Sequence, residues 1–263
     1  MIPARKRWGQ HFLASGATAE RIAEAARVSP GDTVLEVGPG DGALTRPLLA
    51  RAARLLGIEI DPLRAVALAA QLAGEPRARI VEGDALARPF SAWLAESGLP
   101  APAILVANLP YNVATAILTR ALEEPAAIAR IVATVQREVA RRFVARPDTE
   151  HYGYLSVRAA AFASSRVLFD LPPAAFRPRP KVASSVLELT PRRASLDPVL
   201  RSRALELASL GFRLRRKTLP NALSSAAPRE KWEKALAAIG RDARVRAEVL
   251  SLEDFLALAE LLP

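Results

Sequence analysis

The stretch Ala103-Ile104-Leu105-Val106-Ala107-Asn108-Leu109-Pro110-Tyr111-Asn112 joins an apolar run to a polar motif. Five consecutive apolar residues indicate a strand that is buried on both faces of a parallel sheet. The motif Asn108–Asn112 therefore follows the carboxyl end of that strand, and open α/β sheets bind their ligands at this edge. The stretch thus predicts both a class of fold and the position of a binding site.

The residue types of this motif suit a flat ring that carries an exocyclic amine. The Asn108 side-chain oxygen can accept one N–H, and Pro110 stiffens the backbone so that its carbonyl can be aimed at the second. Tyr111 offers a ring face, and stacking of a base on an aromatic ring contributes about 1–3 kcal/mol. An ordinary turn at a strand end uses the same residue types, so the motif alone leaves both interpretations open.

Strands and helices alternate around this stretch. The predicted strands are 33–37, 55–60, 78–81, 103–107 and 128–135, and the predicted helices are 19–28, 43–53, one that Pro62 opens, 114–122 and 138–145. Two later strands, a bent one at 155–168 and another at 184–189, are expected to be antiparallel. The pattern predicts an α/β fold with a doubly wound, mostly parallel sheet whose last strand is antiparallel.

From about residue 195 the sequence has only helical patterns, at 197–210, 229–239 and 252–261. We therefore predict a sheet domain over residues 1–193, which includes a basic N-terminal arm, and a small all-helical domain over residues 194–263. The 263 residues are enough for both, and a hydrophobic fraction of 51% supplies ample core.

Composition excludes several kinds of site. The chain has no cysteine, so disulfides, thiolate metal sites and a cysteine nucleophile are excluded. No apolar run reaches the roughly 18 residues of a membrane span, and the start shows no signal-peptide pattern. We expect a cytoplasmic monomer with neither a membrane partner nor a metal.

The net charge of +10 is unevenly distributed. Arg5, Lys6 and Arg7 form a basic tip, residues 8–175 carry 17 basic and 17 acidic side chains, and residues 176–221 carry 11 basic against 3 acidic. Two basic regions that flank a neutral domain suit a polyanion held at two places. The alternative is a basic surface that serves only solubility. The dense block at residues 213–217 favours contacts with RNA phosphates.

A second motif, Glu36-Val37-Gly38-Pro39-Gly40-Asp41-Gly42, follows the first predicted strand. Glycines let the backbone approach a ligand closely, and Glu59, which ends the second strand, can reach ribose hydroxyls. The dinucleotide fingerprint would need glycine at Ala43, so S-adenosylmethionine fits better than a dinucleotide. Asp84, after the third strand, can accept from the amino group of the cofactor's adenine, or it can be an ordinary turn residue.

Taken together, the motifs resemble the KsgA/RsmA family of ribosomal RNA adenine dimethyltransferases. The resemblance covers essentially the whole chain and rests on Gly9–Leu13, Glu36–Gly42, Glu59, Gly83–Ala85, Asn108–Asn112, Gln136–Ala140, Tyr152–Val157, Phe176–Val182 and Arg215–Leu219. Any one of these motifs is common, but their joint occurrence in this order is highly specific. The family implies a Rossmann-like sheet of the class I methyltransferase type.

The resemblance also implies a role for each matching residue. The cofactor S-adenosylmethionine would contact Gln10, His11, Leu13, Gly38, Gly40, Glu59, Ile60, Asp84, Ala85 and Asn108. The catalytic residues would be Asn108, Pro110 and Tyr111, which hold the target adenine, and Phe176, which stacks on its opposite face. RNA would contact Arg5, Lys6, Arg7, Arg179, Lys181, Arg213, Arg215, Arg216 and Lys217.

The substrate that the family implies is a pair of adjacent adenosines in the 3′-terminal hairpin loop of 16S rRNA. Each would be methylated twice at N6 within the immature small ribosomal subunit. Three positions depart from the family pattern: His11 stands where many members have Asn, Ala183 where Asp is usual, and Pro220 where Arg is usual. The last two bear on RNA contacts more than on chemistry.

Three other functions stay open on the sequence. A large-subunit rRNA adenine methyltransferase of the antibiotic-resistance type has a similar site, although the Phe176–Val182 and Arg215–Leu219 motifs favour the small-subunit enzyme. A DNA adenine methyltransferase is less favoured, because such enzymes commonly have Asp/Asn-Pro-Pro-Tyr in place of Asn108–Tyr111. A mainly non-catalytic ribosome-assembly factor would bind subunits without needing Asn108.

Overall fold

The computed structural model describes residues 9–192 and 196–262. The strands within these residues are β1 Phe12–Leu13, β2 Thr33–Val37, β3 Arg54–Glu59, β4 Ala78–Glu82, β5 Ala103–Asn108, β6 Ile128–Gln136, β7 Ala163–Leu171, β8 Phe176–Arg177 and β9 Ser184–Pro191. The helices are α1 Gly16–Ala25, α2 Thr45–Leu49, α3 Pro62–Gln71, α4 Phe90–Glu96, α5 Ala114–Leu122, α6 Arg137–Val144, α7 Tyr154–Phe162, α8 Pro198–Arg213, α9 Leu219–Ala222, α10 Arg229–Ala238 and α11 Leu252–Leu261. No helix of this part of the chain is long and apolar enough to cross a membrane.

Seven strands form one sheet in the order β4-β3-β2-β5-β6-β9-β7. The strands from β4 to β6 pair in parallel, and β9 pairs antiparallel to β6, so the predicted sheet is confirmed. The chain runs outward from β2 in one direction and outward from β5 in the other. A crevice therefore lies at the carboxyl ends of β2 and β5, where such sheets bind ligands.

Helix α3 begins at Pro62, as predicted. The Asp61 carboxylate accepts from the N–H of Leu63 (3.1 Å), and Pro62 occupies the first turn of α3, where its missing N–H is not needed. Helix α2 is shorter than the predicted 43–53. A two-stranded ladder between β1 and β8, with Leu13 opposite Phe176, was not predicted, since strands of two residues give no periodic signal.

The prediction of one bent strand over 155–168 is wrong in its first half. Residues Tyr154–Phe162 form α7, and only then does β7 begin. The apolar residues at 155, 157, 159 and 161 alternate as they would in a strand, which explains the error. The Ser156 hydroxyl accepts from the Gly153 N–H (3.1 Å) and donates to the Arg142 carbonyl (2.6 Å), and three alanines favour the helix.

The described residues divide into two compact units. The first comprises residues 9–140 and 165–191, and its core packs α1 and α2 against the sheet through Ile22, Leu48, Val106 and Val132. The second comprises 141–164, 192 and 196–262, with a core around Trp232, Leu236 and Phe255. Residues 193–195 lie outside the described part, so the domain boundary between residues 193 and 194 stays a prediction, whereas α7 belongs by its contacts to the helical unit.

Candidate active site

One cavity at the carboxyl edge of the sheet contains most of the predicted cofactor residues. Its lining comprises Gln10, His11, Phe12, Val37, Gly38, Ile58, Glu59, Ile60, Gly83, Asp84, Ala85, Asn108, Leu109, Pro110, Val113 and Ile117. Two predicted cofactor residues are not in this lining. Leu13 packs against the apolar core, and Gly40 lies behind the lining with its N–H bound to Glu59.

The glycine loop after β2 adopts backbone angles that favour glycine. Gly38, Gly40 and Gly42 have φ values of 69°, 58° and 80°. A Cβ atom at Gly40 would lie 2.8 Å from the Phe12 ring, so the absence of a side chain lets that ring pack directly on the loop. A Cβ atom at Gly38 would contact Pro110 (3.9 Å), which shows that the loop faces the Asn108–Asn112 motif.

The Glu59 carboxylate is buried and bound on both oxygens. Oε2 accepts from the Gly40 N–H (2.9 Å) and Oε1 from the Asp61 N–H (2.9 Å). Burial raises the pKa of Glu59, and these two backbone donors oppose that rise. Each carboxylate oxygen retains a further lone pair, so the group can still accept from a ligand in the cavity.

Asp84 combines the two interpretations that the sequence left open. Its side chain is exposed, it lines the cavity, and its Oδ1 accepts from the Leu86 N–H (2.9 Å) in a turn. A Cβ atom at the preceding Gly83 would collide with the Trp93 ring (2.4 Å). Trp93 thus shapes this side of the cavity from behind, which gives the glycine a packing role.

The orientation of the Asn108 amide is fixed by the chain's own backbone. Its Nδ2 donates to the His11 carbonyl at 2.7 Å, and a carbonyl can only accept, so the nitrogen must face His11. Oδ1 is consequently the part of the amide that remains to accept from a ligand. His11 is held in turn, because its Nδ1 lies 2.7 Å from the Pro178 carbonyl and must carry the proton there.

The Pro110 carbonyl has a different use from the expected one. It accepts from the N–H groups of Val113 (3.2 Å) and Ala114 (3.0 Å) at the start of α5. Both of its lone pairs are therefore engaged within the chain, and in this geometry it is not free to accept from an adenine. The rigid turn that we attributed to proline is present, but its carbonyl serves the helix.

Tyr111 is anchored at its hydroxyl, which lies 2.6 Å from the Oγ atom of the buried Ser184. The His11 ring lies beside it, with ring centroids 5.1 Å apart and planes inclined by 30°. Burial raises the pKa of the Tyr111 hydroxyl, and the bond to Ser184 partly opposes that rise. The hydroxyl therefore remains neutral near pH 7, which suits a role for the ring and not for a base.

Phe176 does not occupy the expected position. Its side chain is only 1% exposed and belongs to the apolar core of the sheet unit, with Leu171 and Val186. A ring covered by core residues has no face for an adenine, so stacking as we expected would require β8 to move. The apolar aromatic character that suggested stacking serves packing here.

Sequence reasoning missed Arg64, which is fully buried on α3. It forms ion pairs with Asp41 of the glycine loop and, at 3.8 Å, with Asp61, and its guanidinium lies 4.2 Å from the centre of the Phe12 ring. Arg64 therefore connects the glycine loop to the N-terminal segment that lines the cavity. No sequence pattern indicates this role, because a single arginine in a helix ordinarily faces solvent.

Glu36, the first residue of the glycine motif, is 2% exposed, and its Oε2 has no hydrogen-bond partner in the described chain. Burial raises its pKa from 4.5 to about 8; the Thr45 hydroxyl opposes this shift and the Glu59 carboxylate adds to it. The Glu36 carboxyl group is thus mostly protonated at neutral pH.

Among the described residues, no cluster of three or more His, Cys, Asp or Glu is placed to hold a metal ion.

The predicted RNA-contacting residues are exposed wherever the structure describes them. Arg179 and Lys181 follow β8 in the sheet unit, and Arg213, Arg215, Arg216 and Lys217 follow one another at the end of α8 in the helical unit. Arg215 lies 3.7 Å from Glu248. Arg5, Lys6 and Arg7 lie outside the described residues.

Comparison with known proteins assigns the chain to a family. The family model described as ribosomal RNA adenine dimethylase matches residues 1–263. Ribosomal RNA small subunit methyltransferase A of Thermosynechococcus vestitus is 44% identical, over 100% of this chain and 98% of that protein. The protein of the same name from Moorella thermoacetica is 41% identical, over 100% of this chain and 93% of that protein.

Solved structures agree with the fold. The 23S rRNA methyltransferase ErmE is 30% identical with a TM-score of 0.73, and the match covers 95% of this chain and 99% of that one. A dimethyladenosine transferase from Plasmodium falciparum has a TM-score of 0.80 at 23% identity, covering 94% of this chain and 96% of that one. At that identity, the second likeness establishes only the fold.

Proposed function

Because the chain belongs to the ribosomal RNA adenine dimethylase family, we propose that it dimethylates N6 of two adjacent adenosines in the 3′-terminal hairpin loop of 16S rRNA, using S-adenosylmethionine. The substrate is the immature small subunit in the cytoplasm, and the protein acts as a monomer. The observation that carries the proposal is one cavity that holds Gly38, Glu59 and an Asn108 whose amide orientation is fixed.

The cavity fits S-adenosylmethionine by the chemistry of its lining. Glu59 supplies a carboxylate for ribose hydroxyls, Asp84 supplies an acceptor for an adenine amino group, and the half-exposed apolar side chain of Ile60 supplies a surface for a ring. When bound, this cofactor would supply a methyl group on a positively charged sulfur, which is a strong electrophile. The glycine loop lies against Pro110, so the residues assigned to the cofactor and those assigned to the target adenine are neighbours.

Asn108 orients the amine that receives the methyl group. The N6 lone pair of adenine is delocalised into the ring, so the amine is a poor nucleophile. Acceptance of one N6 hydrogen by Asn108 Oδ1 favours a pyramidal nitrogen whose lone pair can be aimed into the cavity. Since the Pro110 carbonyl is engaged, we assign the second hydrogen to the Leu109 carbonyl, the residue before it in the cavity lining.

Tyr111 supplies the face on which the extruded base rests. Its anchored hydroxyl keeps the ring in one orientation, and a base that leaves its stack regains stacking on an aromatic side chain. No side chain needs to act as a strong base, because the proton on nitrogen becomes acidic once the methyl group is attached. The neutral Tyr111 hydroxyl agrees with this mechanism.

The test is transfer of labelled methyl from S-adenosylmethionine to small subunits purified from cells that lack the modification, followed by nucleoside analysis. We expect N6,N6-dimethyladenosine in 16S rRNA and none in large subunits or DNA. Labelling of large subunits instead would favour the function of the ErmE relative, which is less similar to this chain than the small-subunit enzymes are. Subunit binding without methyl transfer would favour an assembly factor.

A further inference from the structure

A second cleft lies at the opposite, amino-terminal end of the strands. It is lined by Ala53, Arg54, Pro76, Arg77, Ala78, Arg79, Ser97 and Leu99. Three of these residues are arginines and none is acidic. Arg54 is the first residue of β3 and lies five residues before Glu59, so the cleft is about 16 Å along the strand from the cofactor cavity.

The sheet places Arg54 and Arg79 on one face. Arg79 of β4 is the register partner of Leu56 in β3, and Arg54 lies two residues before Leu56. Side chains of paired residues, and of residues two apart in a strand, point to the same side of the sheet. Because β4 is the outermost strand in the sheet order, the edge of the sheet beside Arg79 is open, and the side chains of Arg54 and Arg79 are both exposed.

Two of the three charges in the cleft are not balanced. Arg77 is bound by Glu75 through two bonds of 2.8 and 2.6 Å, so that pair is neutral. Arg79 donates one N–H to the Ser97 carbonyl at 3.3 Å, and neither Arg79 nor Arg54 forms an ion pair within the described residues. By contrast, Arg51 and Arg88 of the same unit are paired with Glu20 and Glu96.

We propose that this cleft is a second RNA-binding surface, in which Arg54 and Arg79 contact phosphates of the rRNA backbone away from the methylated loop. Two guanidinium groups without carboxylate partners in a concave site favour a phosphate, since each presents several N–H donors to its oxygens. The choice of RNA as the source of the phosphates rests on the proposed function. The contact is independent of sequence and holds the RNA at the far end of the sheet.

The test is the salt dependence of binding between the full-length protein and undermethylated small subunits. In the double variant Arg54→Gln, Arg79→Gln, the slope of log affinity against log salt should fall by about 2, roughly one for each lost phosphate contact, with about tenfold weaker binding at physiological salt. The charge-retaining variant Arg54→Lys, Arg79→Lys should keep most of the wild-type slope. Its cofactor affinity and melting temperature, and those of the glutamine variant, should equal the wild-type values.

The matched control is the double variant Arg51→Gln, Arg88→Gln, which removes the same charge from arginines that already have carboxylate partners. An equal fall in slope in the control would mean that only net charge matters and would overturn the proposal, as would an unchanged slope in the cleft variant. Titration with inorganic phosphate, followed through the arginine Nε–H resonances, tests whether the cleft binds a free phosphate ion and not the phosphates of RNA. If inorganic phosphate binds in the cleft but the glutamine variant keeps the wild-type salt slope for small subunits, the cleft is a site for a free anion, and the proposal of RNA binding there is overturned.

Failure of the proposed function would look different. Small subunits would then receive no methyl group, while the difference in slope between the cleft variant and its control would persist. The two conclusions can therefore be lost separately.

Discussion

The two sides of the cofactor cavity are built over very different distances along the chain. On the glycine side, Gly40 donates to Glu59, which is 19 residues away, and Gly38, Glu59 and Asp84 come from successive strand ends. On the Asn108 side, the contacts join residues far apart: Asn108 and His11 are 97 residues apart, Tyr111 and Ser184 are 73 apart, and His11 and Pro178 are 167 apart.

This difference has a functional consequence. The glycine side carries Gly38, Glu59 and Asp84, which we assign to the cofactor, so changes there should act mainly on cofactor affinity. The Asn108 side holds the amide and the ring that we assign to the target adenine, so changes there should act mainly on turnover. Variants that separate cofactor affinity from turnover therefore test whether the two sides are functionally distinct.

The largest effect is expected for Asn108→Ala, which removes the oriented acceptor. Turnover should fall by about two orders of magnitude, the usual loss for one positioned group, and cofactor affinity should change less. Asn108→Asp keeps an acceptor oxygen but places a carboxylate against the His11 carbonyl, so it should also lose most of its activity. The measurements are single-turnover methyl transfer and equilibrium cofactor binding; full turnover in the alanine variant would remove Asn108 from the mechanism.

The next effect is expected for Tyr111, where ring and hydroxyl can be separated. Tyr111→Ala should reduce turnover by about one to two orders of magnitude, because loss of a stacking face costs about 1–3 kcal/mol per base. Tyr111→Phe keeps the ring and loses only the bond to Ser184, so a change of a few fold is expected. Ser184→Ala is the matched control, and it should behave like Tyr111→Phe. Equal loss in the alanine and phenylalanine variants would assign the role to the hydroxyl.

The same contrast explains what could be predicted from the sequence. Strand ends with glycines and carboxylates are local patterns, so the sheet and the cavity residues Gly38, Glu59 and Asp84 were placed from the chain itself. The resemblance supplied His11, but nothing in the sequence indicated that its backbone carbonyl fixes Asn108 or that its ring lies beside Tyr111.

The errors arise where local pattern and tertiary packing disagree. Phe176 has the residue type of a stacking platform, yet β8 places it in the core. The Pro110 carbonyl was expected to face a ligand, yet the start of α5 uses it. The apolar residues of α7 alternate as they would in a strand. Which of them are buried is decided by packing in the helical unit and not by a helical period in the sequence.

On the glycine side, Gly40→Ala tests cofactor affinity. Its φ of 58° is unfavourable for any other L-residue by roughly 1–2 kcal/mol, and the new Cβ would meet the Phe12 ring at 2.8 Å. We expect about tenfold weaker cofactor binding, with turnover at saturation nearly unchanged. Gly74→Ala is the matched control, since nothing lies within 4 Å of a Cβ there. Loss of turnover without loss of affinity would contradict the separation of the two sides.

The smallest effect on methyl transfer, and one mainly on stability, is expected for Glu36→Gln beneath the glycine loop. Burial raises the pKa of Glu36 from 4.5 to about 8, so between these values the folded state keeps a proton that the unfolded state releases. The free energy of unfolding must therefore fall as pH rises through this window, by at most about 1.4 kcal/mol per pH unit. Because glutamine cannot ionise, the free energy of unfolding of the variant should not fall for this reason. The variant should match the wild type near pH 4.5. At pH 8 it should exceed the wild-type melting temperature by up to roughly 10–20 °C, because the whole window corresponds to at most about 5 kcal/mol and each kcal/mol to about 2–4 °C. Parallel dependence of the two melting temperatures on pH across this window would show that Glu36 is already ionised in the folded protein.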